Sequence, residues 1–262
     1  MMEQRFFAVI LAAALLLSLA GCDAEPKPAE TAPDVTAPAV TLDTAGMFTD
    51  RDLDPGYDSA VSITLSDAGC TGGAGVAVDG TTVTITAAGT YRLSGKLTEG
   101  QLRVAAGEQD KVQLVLEGAS VENAGHAALY ILSADKVFLT LADRTENALT
   151  VSGEFRQTDD NAVDAAIFSK SDLVINGSGS LAVSCESAHG IVSKDDLKIT
   201  GGSLTVKAAK QGITGKDSLR IAGGSITVDA GTDGIRAKNA EDAARGYVYI
   251  RGGALDITAG ND

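Results

Sequence analysis

Tryptophan is absent from this 262-residue chain, aromatic residues make up only 4% of it, and cysteine occurs three times. Basic residues are scarce too, with 21 Lys and Arg against 35 Asp and Glu and a formal net charge of −14. Each shortage excludes something. The acidic balance does not suit a nucleic-acid partner, which selects basic faces; it suits a protein that collects divalent cations or simply stays soluble. The cysteines stand in no metal-binding spacing, and Cys70 and Cys185, far apart in the chain, read as two unpaired thiols. Helical stripes are scarce. What is abundant is glycine, 30 residues of it, among short alternating runs of Val, Ile, Leu and Thr, a β composition with many turns.

One apolar run stands apart, Phe6 to Ala20 behind Arg5. It is too short for a comfortable transmembrane helix and reads as an export signal over residues 1–21. Leu19-Ala20-Gly21-Cys22 resembles a bacterial lipobox. Such signals are cleaved before the cysteine, so Cys22 is expected to carry the lipid that tethers an exported protein to the extracytoplasmic side of the membrane. Residues 22–46 contain DAEPKPAETAPDVTAPAV, with almost no apolar bulk, and are expected to form a disordered spacer.

Downstream, the sequence repeats itself. Gly190, Gly212 and Gly234 are 22 residues apart, as are Ile191, Ile213 and Ile235, and Lys194, Lys216 and Lys238. Apolar residues alternate within each unit, as in Leu197/Ile199 then Leu204/Val206, which marks strands with one buried face. A unit this short, with three short strands, cannot build its own core; it can be one turn of a parallel β-helix whose equivalent side chains stack in columns. Matching the "LxI" strand gives Val83/Ile85, Val112/Leu114, Val137/Leu139, Leu173/Ile175, Leu197/Ile199, Leu219/Ile221 and Val248/Ile250, hence about seven turns. At roughly 4.8 Å per strand the stack is on the order of 30 Å long. The columns Leu204–Ile226–Leu255, Val206–Val228–Ile257 and Ile191–Ile213–Ile235 are expected to be dry. The pairs Gly201-Gly202, Gly223-Gly224 and Gly252-Gly253 are read as corners needing positive φ, since no Lys-Ser/Thr follows in P-loop spacing. Loops interrupt the count at GEFRQTDDNAVDA (153–165) and AEDAAR (240–245). Asp262 falls in register with Asp233, so the sequence stops where another turn would begin; an exposed strand edge there invites end-to-end association.

The words AAIFSKSDLVINGSGSL, HGIVSKDDLKITGGSLTV, GKDSLRIAGGSITV and TDGI, in that order, resemble the carbohydrate-binding domain family of right-handed parallel β-helix lipoproteins of anaerobic, plant-fibre-degrading and gut bacteria. The entry stretch MFTDRDLDPGYDSAVSITLSD resembles that family's opening, so the resemblance covers Met47 to Asp262. It implies a polysaccharide partner, cellulose or pectin-like polyuronate, with bound Ca²⁺, and a fold similar to the family 9 pectate lyases. In those lyases the Asp of a recurring Asp-Gly-aromatic word holds Ca²⁺ and a Lys acts as base. Here the position before Gly holds His189, Gln211, Asp233 and Asp262, of which two are acids, and this departure counts against a multi-Asp calcium site at those turns.

Outward columns supply the candidate site residues. Lys194, Lys216 and Lys238, with Lys170 before them, run beside Ser171, Asp195, Asp217 and Asn239. Stacked carboxylates repel unless a cation lies between them, so this column either binds Ca²⁺ or alternates with the lysines in a ladder. Asp217, Asp233 and Asn239 are the calcium candidates on the regular turns. In the first loop Asp159, Asp160, Asn161 and Asp164 suit Ca²⁺ as well as they suit a solvated acidic loop. Asp50, Asp52 and Asp54 start like an EF-hand, but Pro55 and Val61 stand where Gly and Glu are required. Tyr130 with Phe168, and Tyr247 with Tyr249, could offer flat platforms to sugar rings or pack beneath a loop. The lack of Trp argues against the strong platforms of ordinary cellulose-binding modules. An acidic protein should repel polyuronate unless calcium bridges the two sets of carboxylates. Three readings follow: a non-catalytic, lipid-anchored polysaccharide-binding protein, which is preferred; a Ca²⁺-dependent polysaccharide lyase with Lys194, Lys216 or Lys238 as base; and a structural spacer or adhesin.

Overall fold

Strands that alternate apolar and polar residues can bury one face only by stacking, and they do so here in a parallel β-helix of seven turns, seen in a computed structural model that describes residues 44–260. The turns run over 82–97, 101–123, 129–151, 165–185, 189–208, 213–230 and 235–259. The signal segment 1–21, Cys22, nearly all of the spacer 22–46 and Asp262 lie outside the described residues. From the third turn onward each turn carries three strands, as expected; the fifth has His189–Ser193, Asp196–Ile199 and Ser203–Ala208. In the first two turns, two of the three are fused into one bent strand, Gly89–Leu97 and Lys111–Asn123, with Gly95 and Gly118 at positive φ along them.

Three faces result. On the first, Val112, Val137, Leu173, Leu197, Leu219 and Val248 pair in register across the stack. Val83/Ile85 does not belong there. That strand lies on the second face, where it pairs with Leu102/Val104, and the residue opposite Leu114 is the buried Tyr91. A ring in an aliphatic column broke the sequence match. Among the expected dry columns, Ile191, Ile213, Leu204, Ile226, Val206 and Val228 are buried. Ile235 and Leu255 are half-buried and Ile257 is 37% exposed, because no further described turn covers them. Gly202, Gly224 and Gly253 turn their corners at φ of 87°, 98° and 106°. The glycine of the repeated Gly-Ile word has another cause: a Cβ on Gly190 would stand 2.5 Å from Val206 Cγ1 on the facing sheet. Cys70 and Cys185 are both free.

The first face is covered from outside by the segment 44–58, which begins against the seventh turn and runs back along the stack to the second. Met47 O accepts from Arg220 and Phe48 packs against Tyr249 at 6.3 Å. Arg51 lies over the Phe138 ring and donates to Gln113, whose amide donates in turn to Pro55 O. A single helical turn, Asp50–Leu53, is held by a capping box between Thr49 and Asp52. It drives Asp52, 0% exposed, against Lys198 at 2.7 Å and Lys136 at 3.5 Å. Burial of the Asp52 carboxyl works to raise its pKa, but the hydrogen bonds from Lys198 and Thr49 and the nearby lysine charges outweigh it and hold it below the usual range. The three-Asp stretch that looks like a calcium loop is therefore the anchor of a strap.

Candidate functional site

The second face carries the open groove. Its outward column is Arg103, Tyr130, Phe168, Val192, Thr214 and Arg236, one residue per turn. Over the fifth to seventh turns this column, with Val192 buried and Thr214 and Arg236 half-buried, floors a groove of about 340 Å³. One rim is built by the residues before the repeated glycine, His189 and Gln211, and the other by Lys194, Lys216 and Lys238; Asp164 and Glu241, from the two insertions, also line it. The strand period explains the arrangement: three residues separate the variable position from the floor residue and two more reach the lysine, so a 22-residue repeat lays three parallel rows.

Charge in the groove runs opposite to charge in the chain. Lys194, Lys216, Lys238 and Arg236 face Asp164 and Glu241. Lys216 pairs with Glu241 at 3.1 Å and Arg236 with Asp233 at 2.8 Å, while Lys194 Nζ lies 5.1 Å from the centre of the Phe168 ring. Among the described residues, Lys194 and Lys238 have no carboxylate in salt-bridge reach. His189 Nδ1 accepts from the Gln211 backbone N–H, so its proton sits on Nε2, 3.5 Å from Asp164. Burial lowers the His189 pKa, and the charges of Lys210, Lys194 and Arg236 add to that against the pull of Asp164, which keeps the ring neutral. The floor and rims thus offer cations, a neutral imidazole, an amide and a hydroxyl in one open trough.

The calcium candidates are not gathered in this way. Asp217 and Asn239 do meet, with Asn239 donating to Asp217 at 2.6 Å, but Asp233 lies on the other side of the strand and pairs with Arg236 and Gln211. Asp217 is also met by the guanidinium of Arg245, from the insertion AEDAAR. The carboxylate column does need a cation, and that arginine supplies it, in place of either a metal or the lysine row. Asp195 remains poorly compensated: burial, Asp172 and Asp217 push its pKa up to about 6. In the other loop Asp159 accepts from Tyr130, Asp164 faces His189, and Asp160 points to solvent. Among the described residues no three His, Cys, Asp or Glu side chains form a metal-holding group. These donors, dispersed and, apart from Asp160, engaged by protein groups, do not fit Ca²⁺ as they stand.

The aromatic candidates also need correction. Tyr130 is 3% exposed and Phe168 0%, packed edge to face at 5.9 Å beneath the 153–164 loop, so neither presents a platform. Burial, with Asp159 as hydrogen-bond acceptor, pushes the Tyr130 hydroxyl up to about 12. Tyr247 and Tyr249 point outward as expected but on the strap face, where Arg220 stacks on one and Phe48 meets the other. Of the predicted site residues, Lys194, Lys216 and Lys238 converge on the groove, joined by Asp164, which was read as a calcium candidate. Arg236, Thr214 and Val192 were missed; the signal was their place two residues after each repeated glycine.

A groove of this kind on a β-helix can be compared with known proteins. The family described as carbohydrate-binding domain-containing protein matches residues 79–262. This chain belongs to that family. A carbohydrate-binding domain-containing protein of Acetivibrio thermocellus is 42% identical over 136 residues, which is 51% of this chain and 48% of the relative, so the chain spans about half the length of that protein. Among solved structures, a gadolinium derivative of a polysaccharide lyase-like protein from C. thermocellum superposes with a TM-score of 0.72 at 39% identity, over 75% of this chain and 81% of the other. The family match begins at residue 79, after the strap, and includes every groove residue.

Proposed function

We propose that the protein binds an acidic polysaccharide, a polyuronate of the pectin type, without cleaving it, and that one extended chain lies along the groove parallel to the helix axis. The observation that carries this reading is a row of three lysines with Arg236 on the floor, four cations against Asp164, Glu241 and Asp233, on a chain of net charge −14. Rows repeating at about the strand spacing offer carboxylates of successive sugars a partner on each turn. Direct pairing with lysine removes the need for a bridging cation. Family membership supports a carbohydrate ligand; the acidic class rests on the groove. The lipobox at Leu19-Ala20-Gly21-Cys22 supports placing the protein as a lipid-anchored protein on the extracytoplasmic side.

Retention on immobilised polygalacturonate tests the reading. Wild type should bind at low salt and release as ionic strength rises. The triple variant Lys194→Ala, Lys216→Ala, Lys238→Ala should lose at least tenfold in affinity, about 1.4 kcal/mol. Equal retention of the triple variant would sink the assignment of the groove. Elimination is the second reading, favoured by the lyase-like neighbour and by a lysine row beside a neutral His189. Ultraviolet absorbance from unsaturated uronides, with and without added Ca²⁺, decides between the two, and none is expected.

A further inference from the structure

We propose that the segment 153–164 is a displaceable lid over the second half of the cleft, and that the Tyr130 and Phe168 rings beneath it form a stacking subsite for sugars of a longer chain. This rests on the groove reading above. The floor column does not stop where the groove stops: Val192 pairs in register with Phe168, and Phe168 with Tyr130. Two aromatic rings thus continue the trough through the fourth and third turns. Sugar rings present apolar C–H faces, and aromatic floors suit them.

What covers the rings is a poor match for them over most of its length. Val163 packs against the Tyr130 and Phe168 cluster and Phe155 against the main core, but the stretch between them, RQTDDNA at 156–162, has one methyl group as its only apolar side chain. That stretch is held largely by polar contacts. The Tyr130 hydroxyl donates to Asp159 at 2.7 Å and accepts from Asn161 at 2.8 Å, and the Arg156 N–H donates to Gly125 O at 2.8 Å. A void of about 10 Å³ remains between the lid and Tyr130, on the order of one water. Ala162 sits at φ 49°, a conformation that disfavours a non-glycine residue. A sugar face would replace this polar stretch and the Val163 contact with apolar C–H contact over both rings. The groove also reaches the lid directly: Asp164 is both its last residue and part of the groove wall, so a carboxylate of a bound chain meets like charge at that edge and favours lifting it.

The test compares trigalacturonide, which fits the open groove, with octagalacturonide, which must extend under the lid. Binding is measured for wild type, for the lid variant Asp159→Ala/Asn161→Ala, and for Asp160→Ala, which removes a loop charge but no lid bond. The lid variant should bind the octamer about tenfold tighter than wild type, the worth of two lost hydrogen bonds in the closed state. It should bind the trimer like Asp160→Ala. In wild type, hydrogen exchange over 153–164 should speed up with the octamer and not with the trimer, a readout that needs no variant to fold. Slower exchange under the octamer, or a gain equal for both lengths, overturns the lid while leaving the groove intact. Failure of wild type to bind either length overturns the groove reading and this one with it.

Discussion

Replacing Asp52 with Asn should weaken the whole fold, although the residue lies outside both the groove and the matched family region. Its carboxylate is fully buried, 2.7 Å from Lys198, which is itself 5% exposed. Asn keeps the shape and one acceptor but removes the charge, leaving a buried ammonium without its close partner. Breaking such a pair costs about 3–5 kcal/mol. Lys136 keeps Asp172 at 3.5 Å, and Asp172 also feels Lys198, so the lower end, about 3 kcal/mol, is expected. Urea unfolding at neutral pH reads the loss as a fall in midpoint. Asp52→Asn combined with Lys198→Met should recover to within about 1 kcal/mol of wild type, since a buried pair can be exchanged for apolar contact at little net cost. Because the Asp52 pKa is lowered from 3.8, the wild-type advantage is present above that value and shrinks as pH falls through it. A single-variant loss below about 1 kcal/mol, or a double variant no better than the single, would refute the view that this pair anchors the strap.

Other consequences can be checked separately. Asp195 titrates near 6 in the folded chain against 3.8 unfolded, so its contribution is stabilising below 3.8 and is lost as pH rises through 6; Asp195→Asn should therefore be more stable than wild type at pH 7, by about 1–2 kcal/mol, and equal to it at pH 3 in thermal unfolding. EDTA should change neither the melting temperature nor retention on polygalacturonate; a chelator effect on either would restore calcium and the Asp217–Asn239 corner as its place. Gly212→Val should destabilise by about 3 kcal/mol in urea titration, since even a Cβ there overlaps Val228 of the facing sheet and the Gly234 carbonyl. An unchanged midpoint would mean that the two sheets can separate locally.

Where one period ran unbroken, the sequence was readable to the residue. The Leu197/Ile199 and Leu204/Val206 words carried strand direction, inward columns and corner glycines, because each side chain answers to neighbours a fixed distance away in the chain. The first two turns were harder. Their fused strands and the inward Tyr91 depart from the word, so Val83/Ile85 was matched to the wrong face. Local pattern also located the lysine row and even the variable residue before each glycine, but could not show that both rim the same trough, since that depends on which face a column occupies. Contacts across great sequence separation left no periodic trace. Neither Asp52 with Lys198 nor Arg245 with Asp217 follows from spacing; the first gives a role to an acidic stretch whose EF-hand reading already failed on Pro55 and Val61, and the second engages a carboxylate that was a calcium candidate. Burial of Tyr130 and Phe168 was open in the sequence for the same reason: an outward position says nothing about what an insertion lays over it.

The strap also sets an order of events. Its contacts join residues 200 positions apart and more, Tyr247 to Met47 and Tyr249 to Phe48 among them, in a fold whose other pairings connect neighbouring turns. The strap leaves the ribosome first and must wait for its binding surface until the fifth to seventh turns exist. At roughly 5–20 residues per second that delay is on the order of ten seconds or more. During it, the growing stack has an unpaired edge at its newest turn and an uncovered outer face bearing Phe138 and Val174, both buried in the finished protein. Closure of the strap is therefore the last and slowest search in assembly, and the step that turns a column of locally folded turns into one cooperative unit.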